Sequence, residues 1–306
     1  MNQQSKITGG PCLSRPEQGL YRSEYEHDAC GVGMVANLSG EASHEIVVNG
    51  MTILKRLMHR GATGNDPETG DGAGLLMKIP HGFFRKVLGE LSHAEVQRGR
   101  DAEGIGIAMV FGGEGEEEKI EKAVFGEGCE VLAWRDVPTN PDAIGKDARA
   151  VMPRIRQMFI GMAKDDSDKR RETRDEKKDN ETLDTETSFA HTSHVSRLTS
   201  SQSFERRLYV IRRQIEKTTT KTYVCSCSSR TIVYKGLLLA TQIEKFYPDL
   251  SDPDFISPFA IVHQRYSTNT FPSWELAHPF RAIAHNGEIN AIKGNLNALA
   301  AREPSL

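Results

Sequence analysis

Residues 29 to 36 read Ala-Cys-Gly-Val-Gly-Met-Val-Ala, and this stretch divides the chain. Before it, residues 1 to 29 form a polar leader with Gly9-Gly10-Pro11, many charges and little to bury. From Cys30 to Ala36 the residues predict a short apolar strand. Ser43 then caps a predicted helix whose apolar side uses Ile46, Val47, Met51, Leu54, Leu57 and Met58, close to a 3.6-residue period. Gly31 to Ala36 also fits G-x-G-x-x-A. A dinucleotide fingerprint follows a strand and opens a helix, whereas this one lies inside the strand, so that reading is set aside.

Further strands and helices follow along the chain. Thr69-Gly-Asp-Gly-Ala-Gly74 predicts a glycine-rich turn before a strand at Leu75–Ile79, followed by a helix at Phe83–Leu91. Gly104–Phe111 predicts a buried strand and Glu117–Phe125 a helix, with two more strands near Val131–Val137 and Ile155–Met162. The pattern then stops. Between Lys164 and Ser188, 17 of 25 residues are charged and Leu183 is the single apolar one. Such a segment buries too little surface to offset its ordering entropy, so residues 164 to 203 are predicted to be a disordered insertion within a domain.

Order is predicted to return at Phe204, with Phe204, Leu208, Ile211 and Ile215 on one helical face. Tyr223–Ser226 and Thr231–Lys235 read as paired strands, and Leu237–Phe246 as a short helix before Pro248. Phe259–Tyr266 predicts a buried strand with a polar far end. Arg281–His285 predicts another, Asn286-Gly287 a turn, and Glu288–Ala301 a helix.

Composition narrows the class. The 306 residues carry 39 Lys+Arg against 42 Asp+Glu, a formal net charge of -3. This balance gives no general attraction to nucleic acid or an anionic membrane, and no run reaches the roughly 18 apolar residues of a membrane span. The leader lacks an apolar core, so it is not read as a secretory signal. Five cysteines, an odd number, fit a reducing cytoplasm better than a disulfide framework. Cys225-Ser-Cys227 has the wrong spacing for a zinc pair and reads as two buried strand thiols.

The chemistry lies in a combination. Cys30 stands where the folded pattern begins, and two polar clusters end later strands: His263-Gln-Arg-Tyr-Ser-Thr-Asn-Thr270 and His285-Asn-Gly-Glu-Ile-Asn290. Taken singly, these are a buried thiol and two hydrogen-bonded loops. Together with His59-Arg-Gly-Ala-Thr-Gly64 and Thr69–Gly74, in this order, the chain resembles the N-terminal glutaminase domain of the glutamate synthase large subunit. That domain is a class II glutamine amidotransferase.

The resemblance implies an α+β fold, a four-layer αββα sandwich of the N-terminal-nucleophile hydrolase type, over 30–306 and incomplete at its C-terminus. It implies removal of the 1–29 leader so that Cys30 becomes the N-terminal nucleophile. It implies that Asn286 and Gly287 form the oxyanion hole and that Arg265 grips the substrate α-carboxylate, with Arg60 and Asp71 shaping the pocket. The implied reaction is hydrolysis of L-glutamine to glutamate and ammonia for a synthase domain acting on 2-oxoglutarate. No metal or cofactor is implied for this chain. FMN and a 3Fe-4S cluster are expected on the synthase domains, and those domains and a small subunit are the implied partners. An N-terminal-nucleophile amide hydrolase of other substrate, or a non-catalytic fragment, are the alternatives. A substrate lacking a carboxylate would have no use for Arg265.

Overall fold

A computed structural model describes residues 31–91, 104–163, 200–267, 270–284, 296–297 and 300–301. Among these, the chain runs through β1 (Val32–Ala36), α1 (His44–Arg56), β2 (Ala73–Lys78), α2 (His81–Leu91), β3 (Ile105–Gly112), α3 (Glu117–Gly126), β4 (Cys129–Asp136), α4 (Lys146–Ala150) and β5 (Ile155–Met162). It continues through α5 (Ser200–Thr218), β6 (Thr222–Ser228), β7 (Thr231–Gly236), α6 (Ile243–Phe246) and β8 (Phe259–Gln264). The strands form two four-stranded sheets, ordered β1-β8-β2-β7 and β4-β5-β3-β6, antiparallel throughout. With helices flanking both sheets, this is the α+β sandwich that the resemblance implies.

Period-two alternation in β3 shows how the sandwich is held. Ile107, Met109 and Phe111 join a core with Leu75, Met77, Ile232 and Tyr234 of the first sheet. Ala108 and Val110 turn the other way, into a second core with Ile120 and Val124 of α3 and Leu208, Ile211 and Ile215 of α5. The four apolar residues predicted on one face of α5 are all buried. Helix α1 starts at Ser43, whose Oγ accepts the N–H of Ile46. It lies close on β1 and β8 because Gly33 and Gly50 leave room: a Cβ on Gly50 would come 2.7 Å from that of Ala260.

Between the sheets lies a closed polar network. Asp249 takes two hydrogen bonds from the Arg135 guanidinium, at 2.7 and 2.8 Å, and one from the Tyr234 hydroxyl at 2.7 Å. Gln157 donates to that hydroxyl and accepts from Arg135. The network joins β4 and β5 of one sheet to β7 of the other.

The structure departs from the sequence-based expectation in five places. Met58 is exposed, because α1 ends at Arg56 and Met58 sits in a separate 3-10 turn. Helix α5 begins at Ser200, so residues 200–203 belong to it; residues 164–199 lie outside the described set. β6 and β7 are consecutive but not paired: β6 pairs with β3 and β7 with β2, in different sheets. Residues 237–242 are not helical, because the loop is pinned instead. Gly70 packs on the Leu238 carbonyl, and Gln242 donates its side-chain N–H to Glu68 O at 2.7 Å. Residues 281–284 form no strand; Phe280 and Ile283 bond each other across a tight turn and so have no ladder partner.

Candidate active site

The floor of the site is the glycine-rich turn before β2. Gly72 has φ +136, which disfavours any side chain, and a Cβ there would lie 2.9 Å from that of Ala277. A Cβ on Gly74 would come within 2.5 Å of the His278 carbonyl oxygen. Glycines here admit a neighbouring strap, Trp274–Phe280, as well as making the turn.

Asp71, carried between Gly70 and Gly72, is buried. Its N–H donates to Ala62 O at 3.0 Å and its Oδ2 accepts the Ser267 N–H at 2.6 Å. Arg265 follows β8 directly. Its N–H donates to Gly72 O at 2.8 Å, Nη2 donates to Thr270 Oγ1 at 2.8 Å, and Nη1 reaches the Asp71 carbonyl oxygen at 3.4 Å. The guanidinium is part-buried and has no ion pair among the described residues. Burial pulls its pKa down from the usual arginine value, with the Asp71 charge acting in the opposite direction. Arg60 ends the 3-10 turn Met58–Arg60, two residues before the carbonyl that receives the Asp71 N–H. Asp71 and Arg265 are thus in direct contact, and Arg60 reaches the same loop through the backbone. Cys30, Asn286 and Gly287 lie outside the described residues.

Gln264, for which the sequence predicts no role, also lies here. Its backbone N–H donates to Gly31 O at 2.7 Å, and its side-chain N–H lies 3.4 Å from Gly72 O. Gly61 leaves no room for a Cβ against the same amide. One residue therefore meets the neighbour of Cys30 through its backbone and the neighbours of Arg60 and Asp71 through its side chain. Its Oε1 is buried and has no hydrogen-bond partner among the described residues. The signal available in sequence was its place inside His263-Gln-Arg265, at the polar end of an apolar strand. His263, also buried, stacks on His278 at 4.5 Å.

The other thiols are built for packing. A bulge in β6 between its partners Met109 and Val110 gives Cys225 no opposite residue. Cys225 consequently joins the core between the sheets and Cys227 the core under α3 and α5, despite their i, i+2 spacing. Burial raises both thiols to about 12 and Cys129 to about 11. Two cysteines facing opposite ways cannot share a metal, and among the described residues no group of three His, Cys, Asp or Glu could hold one. No described helix is long and apolar enough to cross a membrane.

Comparison with known proteins gives the family. The family profile described as "Glutamine amidotransferases class-II" matches residues 30–179 and 179–306. The "Glutamate synthase [NADPH] large chain" of Bacillus subtilis (strain 168) is 46% identical over 94% of this chain, and that of Azospirillum brasilense 40% over 92%. "Ferredoxin-dependent glutamate synthase 1, chloroplastic/mitochondrial" of Arabidopsis thaliana is 39% identical over 98%. The chain spans 17% of the length of each of these relatives. With the profile covering the chain from Cys30 to Leu306 and two antiparallel sheets flanked by helices, the chain belongs to the class-II glutamine amidotransferases.

Proposed function

We propose that this chain is the glutaminase part of a glutamate synthase, hydrolysing L-glutamine and supplying ammonia to a synthase domain that makes glutamate from 2-oxoglutarate. The observation that carries the substrate assignment is Arg265: a part-buried guanidinium with no ion pair among the described residues, held by Thr270 Oγ1 and the Asp71 carbonyl. A planar cation held this way suits a carboxylate, which it meets bidentately.

In this reading, removal of residues 1–29 frees the α-amine of Cys30. An α-amine has a pKa of about 7.7–8.0, close to working pH, so it serves as the base for its own thiol, directly or through water. The thiolate attacks the glutamine δ-carbonyl. Asn286 donates to the oxyanion from its side-chain amide and Gly287 from its backbone N–H. Ammonia leaves, and water hydrolyses the thioester to glutamate. Arg60 and Asp71 shape the pocket. FMN, the 3Fe-4S cluster and the small subunit belong to the remainder of such an enzyme, placed in the cytoplasm. The 164–199 insertion is dispensable for the domain.

The test is ammonia release from glutamine by the full-length protein, with intact-mass measurement of the N-terminus. Active protein is expected to begin at Cys30, and Cys30→Ser to lose nearly all turnover. A thiol-directed glutamine analogue is expected to label Cys30 and leave Cys129, Cys225 and Cys227 unmodified, because burial keeps those thiols protonated. Wild-type turnover by Cys30→Ser, or an active protein that keeps its leader, would overturn the proposal.

A further inference from the structure

Lys235 lies near the C-terminal end of the first sheet's edge strand β7, opposite Gly74 of β2, and is wholly buried. All three donors of its ammonium are used: Nζ lies 2.8 Å from Glu275 O, 2.8 Å from Ala277 O and 3.0 Å from the Tyr223 hydroxyl. The rings of Tyr223 and Phe280 flank it at 4.7 and 4.6 Å. Few ammonium groups are buried so completely, because desolvation is costly unless every donor is matched. Here two of the three acceptors are main-chain carbonyls of one irregular strap, residues 274–280. The same strap is pinned by Trp274 Nε1 to Ala148 O at 3.1 Å and by His278 on His263.

The strap lies against the glycine-rich turn. Ala277 fills the space over Gly72 and the His278 carbonyl the space over Gly74. Gly72 O in turn receives the Arg265 N–H, and Asp71 O faces the Arg265 guanidinium. We infer that Lys235 is a positioning residue for the carboxylate pocket: its ammonium clamps the 274–280 strap onto Gly72 and Gly74, and so sets where Arg265 is held. The inference rests on the reading of Arg265 given above.

Burial lowers Lys235 to about 8, so the clamp has a titration within reach. The groups facing it are Tyr223 and Cys225 from β6, Arg212 from α5, Glu275 from the strap and Arg265 beyond β8. Burial keeps the phenol and the thiol neutral, leaving Glu275 as the anion among them. Below about pH 8 the ammonium donates to all three acceptors; above it, the neutral amine still has two donors for the strap carbonyls but no charge, so those bonds weaken and the strap loosens.

In the full-length protein, Lys235→Met is expected to raise KM for glutamine about tenfold or more, with kcat within about threefold of wild type, as when binding alone is lost. Amide exchange should quicken in residues 274–280 and stay unchanged in β3 and β5. An unchanged KM in the folded variant overturns the inference, as does equal quickening throughout both sheets. If Lys235→Met does not fold, Tyr223→Phe removes one acceptor of the ammonium. The pH above which KM rises should then shift downward relative to wild type, and the ionisation of glutamine itself cancels in that comparison. An unshifted profile overturns the inference. If wild-type protein fails to hydrolyse glutamine, it is the functional proposal that falls. Strap exchange in Lys235→Met then decides the clamp alone, with unchanged exchange overturning it.

Discussion

Arg265 meets Asp71 at its main-chain carbonyl, 3.4 Å from Nη1, and not at its carboxylate. The carboxylate is engaged instead by the Ser267 N–H at 2.6 Å. The division matters electrostatically. A direct ion pair would neutralise the guanidinium and make it a poor anion site. Held by a carbonyl and a hydroxyl, it keeps its charge for a ligand while Asp71 stabilises it from a short distance.

Arg265→Lys is therefore expected to weaken glutamine binding more than it slows chemistry. The two Nη atoms reach different partners, Asp71 O and Thr270 Oγ1, and a single ammonium cannot span them and also present a fork to a carboxylate. Steady-state kinetics should show KM raised about tenfold or more, an effect on the order of 1.4 kcal/mol, with a smaller fall in kcat.

Gly72→Ala adds one methyl group and is expected to impair the pocket. The backbone there has φ +136, and the new Cβ would press on Ala277. Relief requires moving either the strap or the turn whose carbonyl holds Arg265. The expected result is a lowered melting temperature and a raised KM for glutamine; Gly64→Ala, whose Cβ would meet open space, serves as the control.

Removing the carboxylate of the buried Asp249 leaves the part-buried Arg135 without its counter-ion. Asp249→Asn is expected to destabilise by about 3–5 kcal/mol, the range for breaking a buried pair. Tyr234→Phe leaves that pair intact and removes two neutral-donor hydrogen bonds, one to Asp249 and one from Gln157, so about 2 kcal/mol is expected. Chemical denaturation of the two variants measures the difference, and similar losses would mean that the ion pair does not dominate the network.

Acid sensitivity should report Glu116. Its carboxylate accepts from the N–H groups of Thr220 and Lys221 and from the Thr222 hydroxyl, and these bonds lower it from 4.5 to about 2. A depressed carboxylate contributes stability that is complete above its unfolded value and is lost as pH falls through the folded one. Glu116→Gln should melt below wild type at neutral pH, and the gap should narrow from about pH 4.5 toward pH 2. A gap that stays constant over that range would show that the charge contributes nothing.

The sequence by itself determined most of the strands and helices and the family. Side-chain patterning is a property of neighbouring residues, so the continuous apolar run of β3 and the buried face of α5 were legible before any packing was known. The motifs from Cys30 to Asn290 were legible for the same reason, and the profile match follows them. Only the tertiary structure decided which strands pair. β6 and β7 are adjacent in sequence, yet each finds its ladder in a different sheet, because hydrogen-bond partners are chosen across the chain. The bulge that turns Cys225 and Cys227 to opposite cores depends on the register with β3, which neither cysteine encodes. Likewise Lys235 looks in sequence like one more exposed strand lysine. It is buried because a strap forty residues later supplies two carbonyls and an aromatic ring, and desolvation is a property of everything that surrounds a charge.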